Sequence, residues 1–96
     1  MPRSKRSSLE LTADVLGAAL EGAKKTAIMY RANLSFDLLN RYLDLLTTKK
    51  VLLVRDEFGL YWVSPKGMKF LREYNSYKKT ESAYLRKSKT VNEFLE

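Results

Sequence analysis

Between Leu9 and Leu20 apolar residues recur three and four apart, at Leu9, Ala13, Leu16 and Leu20, and Val15 and Ala19 widen the same face. This is the spacing of an amphipathic helix. Ser8 is placed to cap it and Gly22 to stop it, so a first helix is expected over residues 8–21. A shorter helix is expected over residues 25–31, with Ala27 and Ile28 turned inward and Tyr30 as a further inward candidate. The segment "RANLS" then reverses the chain. Ser35 caps a third helix over residues 35–48, in which Phe36, Leu39, Leu43 and Leu46 form the apolar stripe and Tyr42 flanks it. Three helices of this size bury their stripes only against one another.

After Lys49 and Lys50 the period changes. "VLLVR" and "LYWVS" are rich in β-branched and aromatic residues, and "DEFG" between them ends in a glycine suited to a turn. A hairpin over residues 51–55 and 60–64 is expected. So small a hairpin is marginal alone in water and should lie against the helices. Of Phe58, Tyr61 and Trp62, at least one should pack it there, which leaves another free to meet a ligand or a nucleic-acid backbone. Ser64 and Pro65 start a fourth helix, because proline lacks only an N–H that is orphaned in a first turn anyway. The order is that of a mainly α winged helix-turn-helix, with the small β-hairpin as wing.

The last segment has a different pattern. Phe70, Tyr74, Tyr77, Glu81, Tyr84, Ser88, Val91 and Leu95 alternate four and three apart, which is a heptad seam. A continuous helix over residues 66–96 would span roughly 45 Å at 1.5 Å per residue, well beyond one small domain. Its apolar side calls for a cover, and a second copy is the simplest, giving a coiled-coil homodimer. The expected interface is Phe70, Tyr74, Tyr77, Tyr84, Val91 and Leu95. Glu81 and Ser88 interrupt the seam, and Asn75 and Ser76 offer a place to bend. A helix folded back on its own domain and a frayed tail are the alternatives, and the seam does not set the packing direction. The chain thus divides into a flexible basic arm at 1–7, a winged helix-turn-helix domain at 8–65 and a dimerisation helix at 66–96.

Composition narrows what such a fold does. The 96 residues allow one small core, and a net charge of +7 favours polyanionic partners. Absence of Cys and His removes thiolate zinc sites, disulfides, the usual general base and the usual nitrogen ligand. No glycine-rich phosphate loop or carboxylate pair in a cleft is recognisable, so neither an enzyme nor a cofactor is expected, and no small-molecule ligand. Asp37 and Asp44 share a face of the third helix without companions for a metal site. No run of 18 apolar residues and no signal-peptide pattern is present, so no membrane partner is expected. The reading is of a soluble, cytoplasmic, nucleoid-associated protein.

In a helix-turn-helix the third helix enters the major groove. Its outer face here would offer Ser35, Asp37, Asn40, Arg41, Asp44 and Thr47, of which Ser35, Asn40, Arg41 and Thr47 are base-edge candidates. The two aspartates repel phosphates and leave this helix slightly acidic. Phosphate contacts are better supplied around it, by Lys24, Lys25, Tyr30, Arg31, Lys49, Lys50 and Arg55, and by Arg3, Lys5 and Arg6 of the arm. Any one of these cations is equally well a solvated surface charge; their grouping favours double-stranded DNA. Tyr61 and Trp62 fit alternation between packing and surface better than a stacking platform for single strands.

"GAKKTAIMYRANLSFDLLNRYLDLL" at 22–46 and "GLYWVSPKGMKFLREY" at 59–74 resemble the archaeal winged-helix family of small, basic, chromatin-associated DNA-binding proteins of about 10 kDa found in Sulfolobus and its relatives. Lys24, Lys25, Thr26, Met29 and Tyr30 match its second-helix pattern, and Asn33, Leu34 and Ser35 its turn. The resemblance implies a homodimer with a winged-helix domain at each end of an antiparallel coiled coil. It implies duplex DNA binding as transcription regulator or architectural chromatin protein, and leaves those two open. The wing departs from the family, since "RDEFG" is acidic and aromatic where polar, lysine-like residues are usual. A winged-helix dimer that binds protein instead of DNA is the rival reading, and the two aspartates are its support.

Overall fold

A computed structural model describes residues 6–95, with side chains through residue 80. The expectations for Arg3 and Lys5, and for the side chains of Tyr84, Val91 and Leu95, fall outside these described residues. The order is α1 (Ser8–Ala18), α2 (Lys25–Ala32), α3 (Phe36–Asp44), a π turn (Leu45–Lys49), β1 (Leu53–Arg55), β2 (Tyr61–Val63) and α4 (Pro65–Leu95).

Ser7, one residue before the expected cap, starts α1. Its hydroxyl accepts from the Glu10 N–H while the Glu10 carboxylate accepts from the Ser7 N–H, a reciprocal capping box. That pairing holds the Glu10 carboxyl below its ordinary range, the Ser7 backbone N–H being the main cause. Ser8 serves the tertiary structure, since its hydroxyl accepts from Tyr42 on α3. The helix ends at Ala18, three residues early, so Leu20 falls beyond the last turn and is half-exposed. Leu9 is on the expected face but looks into an open groove beside α4, which leaves it half-exposed too.

Two further inward assignments are corrected. In α2 the buried pair is Ile28 and Ala32, four apart, which turns Tyr30 to the opposite side, where it is 76% exposed. In α3 Leu39, Tyr42 and Leu43 are buried and Leu46 follows in the π turn, whereas Phe36 in the first turn is 61% exposed. Asn33 makes the joint between α2 and α3 in the left-handed conformation, which Asn tolerates better than most residues. Ser35 caps α3 as expected, accepting from the Leu38 N–H.

Thr47 and Thr48 donate their hydroxyls back to Leu43 and Asp44 carbonyls as α3 widens into the π turn. Val51 then takes φ 54°, a strained value for a β-branched residue, and delivers the chain to the hairpin. Strands β1 and β2 pair antiparallel, with Leu53 opposite Val63, Val54 opposite Trp62 and Arg55 opposite Tyr61. The ladder is shorter than the sequence suggests, but Ala23, between α1 and α2, adds to its outer side by exchanging two backbone bonds with Tyr61.

Leu16, Ile28, Leu39, Leu46, Leu53 and Val15 are fully enclosed, so the three helices and the hairpin share one core, to which α4 adds Leu71. The start of α4 is fixed on both sides: the Ser64 hydroxyl accepts from Gly67 N–H and donates to the Val51 carbonyl. Among the described residues no helix is long and apolar enough to cross a membrane.

Candidate nucleic-acid interface

The outer face of α3 is open along its length. Phe36, Asp37, Arg41 and Asp44 are exposed and Asn40 is half-buried between them. Of the four base-edge candidates, Arg41 is the most available. Ser35 is exposed but its hydroxyl caps the helix, and Thr47 is half-buried with its hydroxyl held 2.7 Å from the Leu43 carbonyl. The two aspartates stand outward with Arg41, so the face is mixed in charge.

Cations bracket this face at both ends. At the α3 start, Lys25 places its ammonium 4.9 Å from the centre of the Phe36 ring, a cation–π contact, and exposed Lys24 precedes it. At the far end the exposed Lys49 and Lys50 close the π turn. Tyr30 projects from α2 and Arg55 from β1.

Two other basic candidates have internal work. Arg31 donates from Nη1 to the Ala18 carbonyl at 3.0 Å, satisfying the last turn of α1. Arg6 is held more firmly: Nη1 donates to Asp14 and to the Ala32 carbonyl, and Nη2 to the Asn33 carbonyl, each at 2.7 Å. It ties the start of the chain to the α2–α3 joint, and its Nε is buried without a partner.

In the wing, Asp56 organises the turn. One carboxylate oxygen accepts from the Phe58 and Leu60 N–H groups and the other from the Trp62 indole N–H, all at 2.9 Å. These bonds hold its carboxyl below the ordinary aspartate value of 3.8, the indole being the largest cause, then the Leu60 N–H. One of the two acidic residues of "RDEFG" is therefore part of the turn, while Glu57 and Phe58 point outward, Phe58 being 74% exposed. Tyr61 packs on the core and Trp62 covers Gly22, whose φ is 82° and on which a Cβ would lie 2.6 Å from the indole.

A carboxylate whose folded pKa is depressed contributes stability above its unfolded pKa and loses that contribution as pH falls through the folded value. Trp62 fluorescence in the folded protein should therefore change on acidification with a midpoint below 3.8. Asp56→Asn should remove that transition and lower the thermal midpoint at neutral pH. A transition that persists in the variant would separate Trp62 from Asp56.

The expected dimer residues split into two kinds. Phe70 and Tyr74 stack on each other with centroids 6.1 Å apart and partly pack on their own core, whereas Tyr77 is largely exposed. With Leu9 they line an apolar groove between α1 and α4, continuous with a larger one of about 750 Å³ edged by Lys49, Lys50 and Lys66. Sequence reasoning missed Leu9 and Phe36 as surface residues because both carry the spacing of buried positions. Gly22 facing Trp62, and Asp56 below it, have no signal along the chain.

Comparison with known proteins agrees with the architecture. The winged helix-turn-helix family profile matches residues 5–82. Among solved structures, one similar in fold is Sso10a-2, a DNA-binding protein from Sulfolobus solfataricus, with a TM-score of 0.79 at 22% identity over 95% of this chain and 98% of that one. No curated protein matches the sequence.

Proposed function

The chain belongs to the winged helix-turn-helix family, and from that premise we propose that it binds double-stranded DNA as a homodimer, presenting α3 to the major groove. The observation that carries this reading is the open outer face of α3, with Lys24 and Lys25 at its start, where Lys25 lies on Phe36, and Lys49 and Lys50 exposed in the turn that follows it. Those positions suit phosphates on either side of a groove that admits one helix. The net charge of +7 and the DNA-binding protein of like fold support it further.

Dimerisation is proposed through α4. Pairing two copies of the seam antiparallel, so that the sequence is symmetric about its midpoint, sets Phe70 opposite Leu95, Tyr74 opposite Val91 and Tyr77 opposite Ser88. The apolar carboxy-terminal end of a second α4 would then reach the groove at Leu9, Phe70 and Tyr74. The two heads would lie apart, able to hold two DNA segments or two places on one.

A mixed-charge α3 fits low sequence selectivity better than strong base reading, so the architectural role is favoured over the regulatory one. The test is binding, by anisotropy, to a random-sequence duplex and to a genomic duplex pool whose bound members are sequenced. Salt-dependent binding without enrichment of a defined motif, whatever the base composition of the bound members, supports the architectural role. Enrichment of a paired motif supports a regulator that favours its site by roughly 4 kcal/mol or more. Asp37 and Asp44 favour the rival, a protein-binding winged-helix dimer, and absence of duplex binding at low salt would overturn the DNA reading in its favour.

A further inference from the structure

We infer that Phe36 is a base-contacting residue that recognises the C5-methyl group of thymine, so that the α3 face prefers A·T pairs; this rests on the proposed docking of α3 in the major groove. Phe36 has the spacing of the α3 core stripe, yet Leu39 and Leu43 are buried and Phe36 is 61% exposed. A single exposed apolar residue is common on any protein surface. Three observations set this one apart.

It occupies the first turn of α3, the part of a recognition helix that meets base edges. Lys25 lies over its ring, fixing an aromatic surface beside an ammonium that can reach a phosphate while the ring faces the bases. Asn40 stands one turn on, on the same ridge, and is suited to the N6 and N7 of adenine.

The surrounding charges leave this choice to the ring and the amide. In the major groove guanine presents only acceptors, N7 and O6, whereas adenine and cytosine present amino donors and thymine an apolar methyl. Asp37 and Asp44 repel the guanine edge and accept from amino groups. Arg41 is the one side chain on this face that favours guanine, and it stands between the two carboxylates along the helix. The carboxylates accept equally from adenine N6 and cytosine N4 and do not choose between the pairs; the aromatic ring and the amide suit A·T, with the methyl as the feature only the ring can read.

The test changes one methyl group at a time. Affinities are measured at one fixed ionic strength for four 40-base-pair duplexes: alternating dA·dT, the same with deoxyuridine for thymidine, alternating dG·dC, and the same with 5-methylcytosine. Each methyl buried against Phe36 is worth about fourfold in affinity. The wild-type chain should bind the thymine duplex about fourfold tighter than the uracil one for each methyl buried, and methylation of cytosine should raise its affinity for dG·dC. Phe36→Ala, at an exposed position, should keep its thermal midpoint and lose both methyl effects, so that its affinities for the thymine and uracil duplexes become equal. Equal wild-type affinity for the thymine and uracil duplexes overturns the inference and leaves the DNA-binding reading standing. So does a Phe36→Ala chain that still prefers the methyl. Failure to bind any of the four at low salt overturns both.

Discussion

Replacing Lys24, Lys25, Lys49 and Lys50 together by Gln should remove most of the salt dependence of duplex binding. A duplex holds condensed counterions, and each phosphate neutralised by a lysine releases about 0.9 of one, so log K falls with log salt in proportion to the number of contacts. Four contacts per head correspond to a slope lower by roughly 3 to 4, and to a loss on the order of 10²-fold in affinity between 50 and 200 mM salt that the variant would no longer show. All four side chains stand at the surface, three of them well exposed and Lys25 over the Phe36 ring, so the fold should survive. Removing four charges from α4 instead, by Lys66→Gln, Lys69→Gln, Arg72→Gln and Lys79→Gln, controls for net charge and should change the slope much less. An unaltered slope in the quadruple variant would show that the lysines bracketing α3 do not touch phosphates.

A second large effect is expected from a methyl group. Gly67 is buried in the third position of α4, and a Cβ there would run into the Leu52 carbonyl and lie 2.7 Å from Val63 Cγ1. Those atoms are backbone and a packed strand side chain, so neither yields without moving the helix off the wing. Helix propensity favours Ala over Gly by about 1 kcal/mol. Gly67→Ala should nevertheless destabilise the protein by about 2 to 3 kcal/mol, in the range of an overpacked core, and lower the thermal midpoint by roughly 10 °C or more. Gly17 offers the comparison, since a Cβ there meets nothing within 4 Å. Gly17→Ala should stabilise by about 0.5 to 1 kcal/mol. Denaturant unfolding of the two variants should therefore move in opposite directions, and movement in the same direction would mean that α4 does not sit tightly on β1 and β2.

Much of this fold is legible in the chain. Ser35 before an apolar stripe, the switch of period after Lys50, and Ser64 followed by Pro65 each encode a local event, and each occurs as written. Local signals fail where a contact comes from another element. Ser7 and Ser8 are equally good caps by composition; Tyr42, far along the chain, engages Ser8 while Glu10 completes the box on Ser7. Tyr30 and Phe36 carry plausible inward spacing, but Tyr30 lies on the side of α2 opposite Ile28 and Ala32, and Phe36, in the first turn of α3, lies beyond the elements that cover Leu39 and Leu43.

The interface was partly legible for the same reason. Lys49 and Lys50 follow α3 directly through the π turn, whereas Lys24 and Lys25 begin α2 and reach the start of α3 through the fold, where Lys25 lies on Phe36. Arg6 looked like part of a phosphate-seeking arm, yet three hydrogen bonds hold it inside the fold. Asp56 looked like a deterrent to DNA in the wing, yet its carboxylate closes the turn. A charge in a sequence announces its sign; the partners that consume it belong to the tertiary structure.

The central claim is that α3 and the lysines at its two ends meet duplex DNA. The most direct test is an NMR titration of the labelled protein with a random-sequence duplex, following backbone amide shifts. The largest changes should fall on residues 24–31, 36–41 and 47–51, with little change along the α1 face around Asp14. Saturable binding with changes confined to α1, or to any surface that excludes α3, would contradict it.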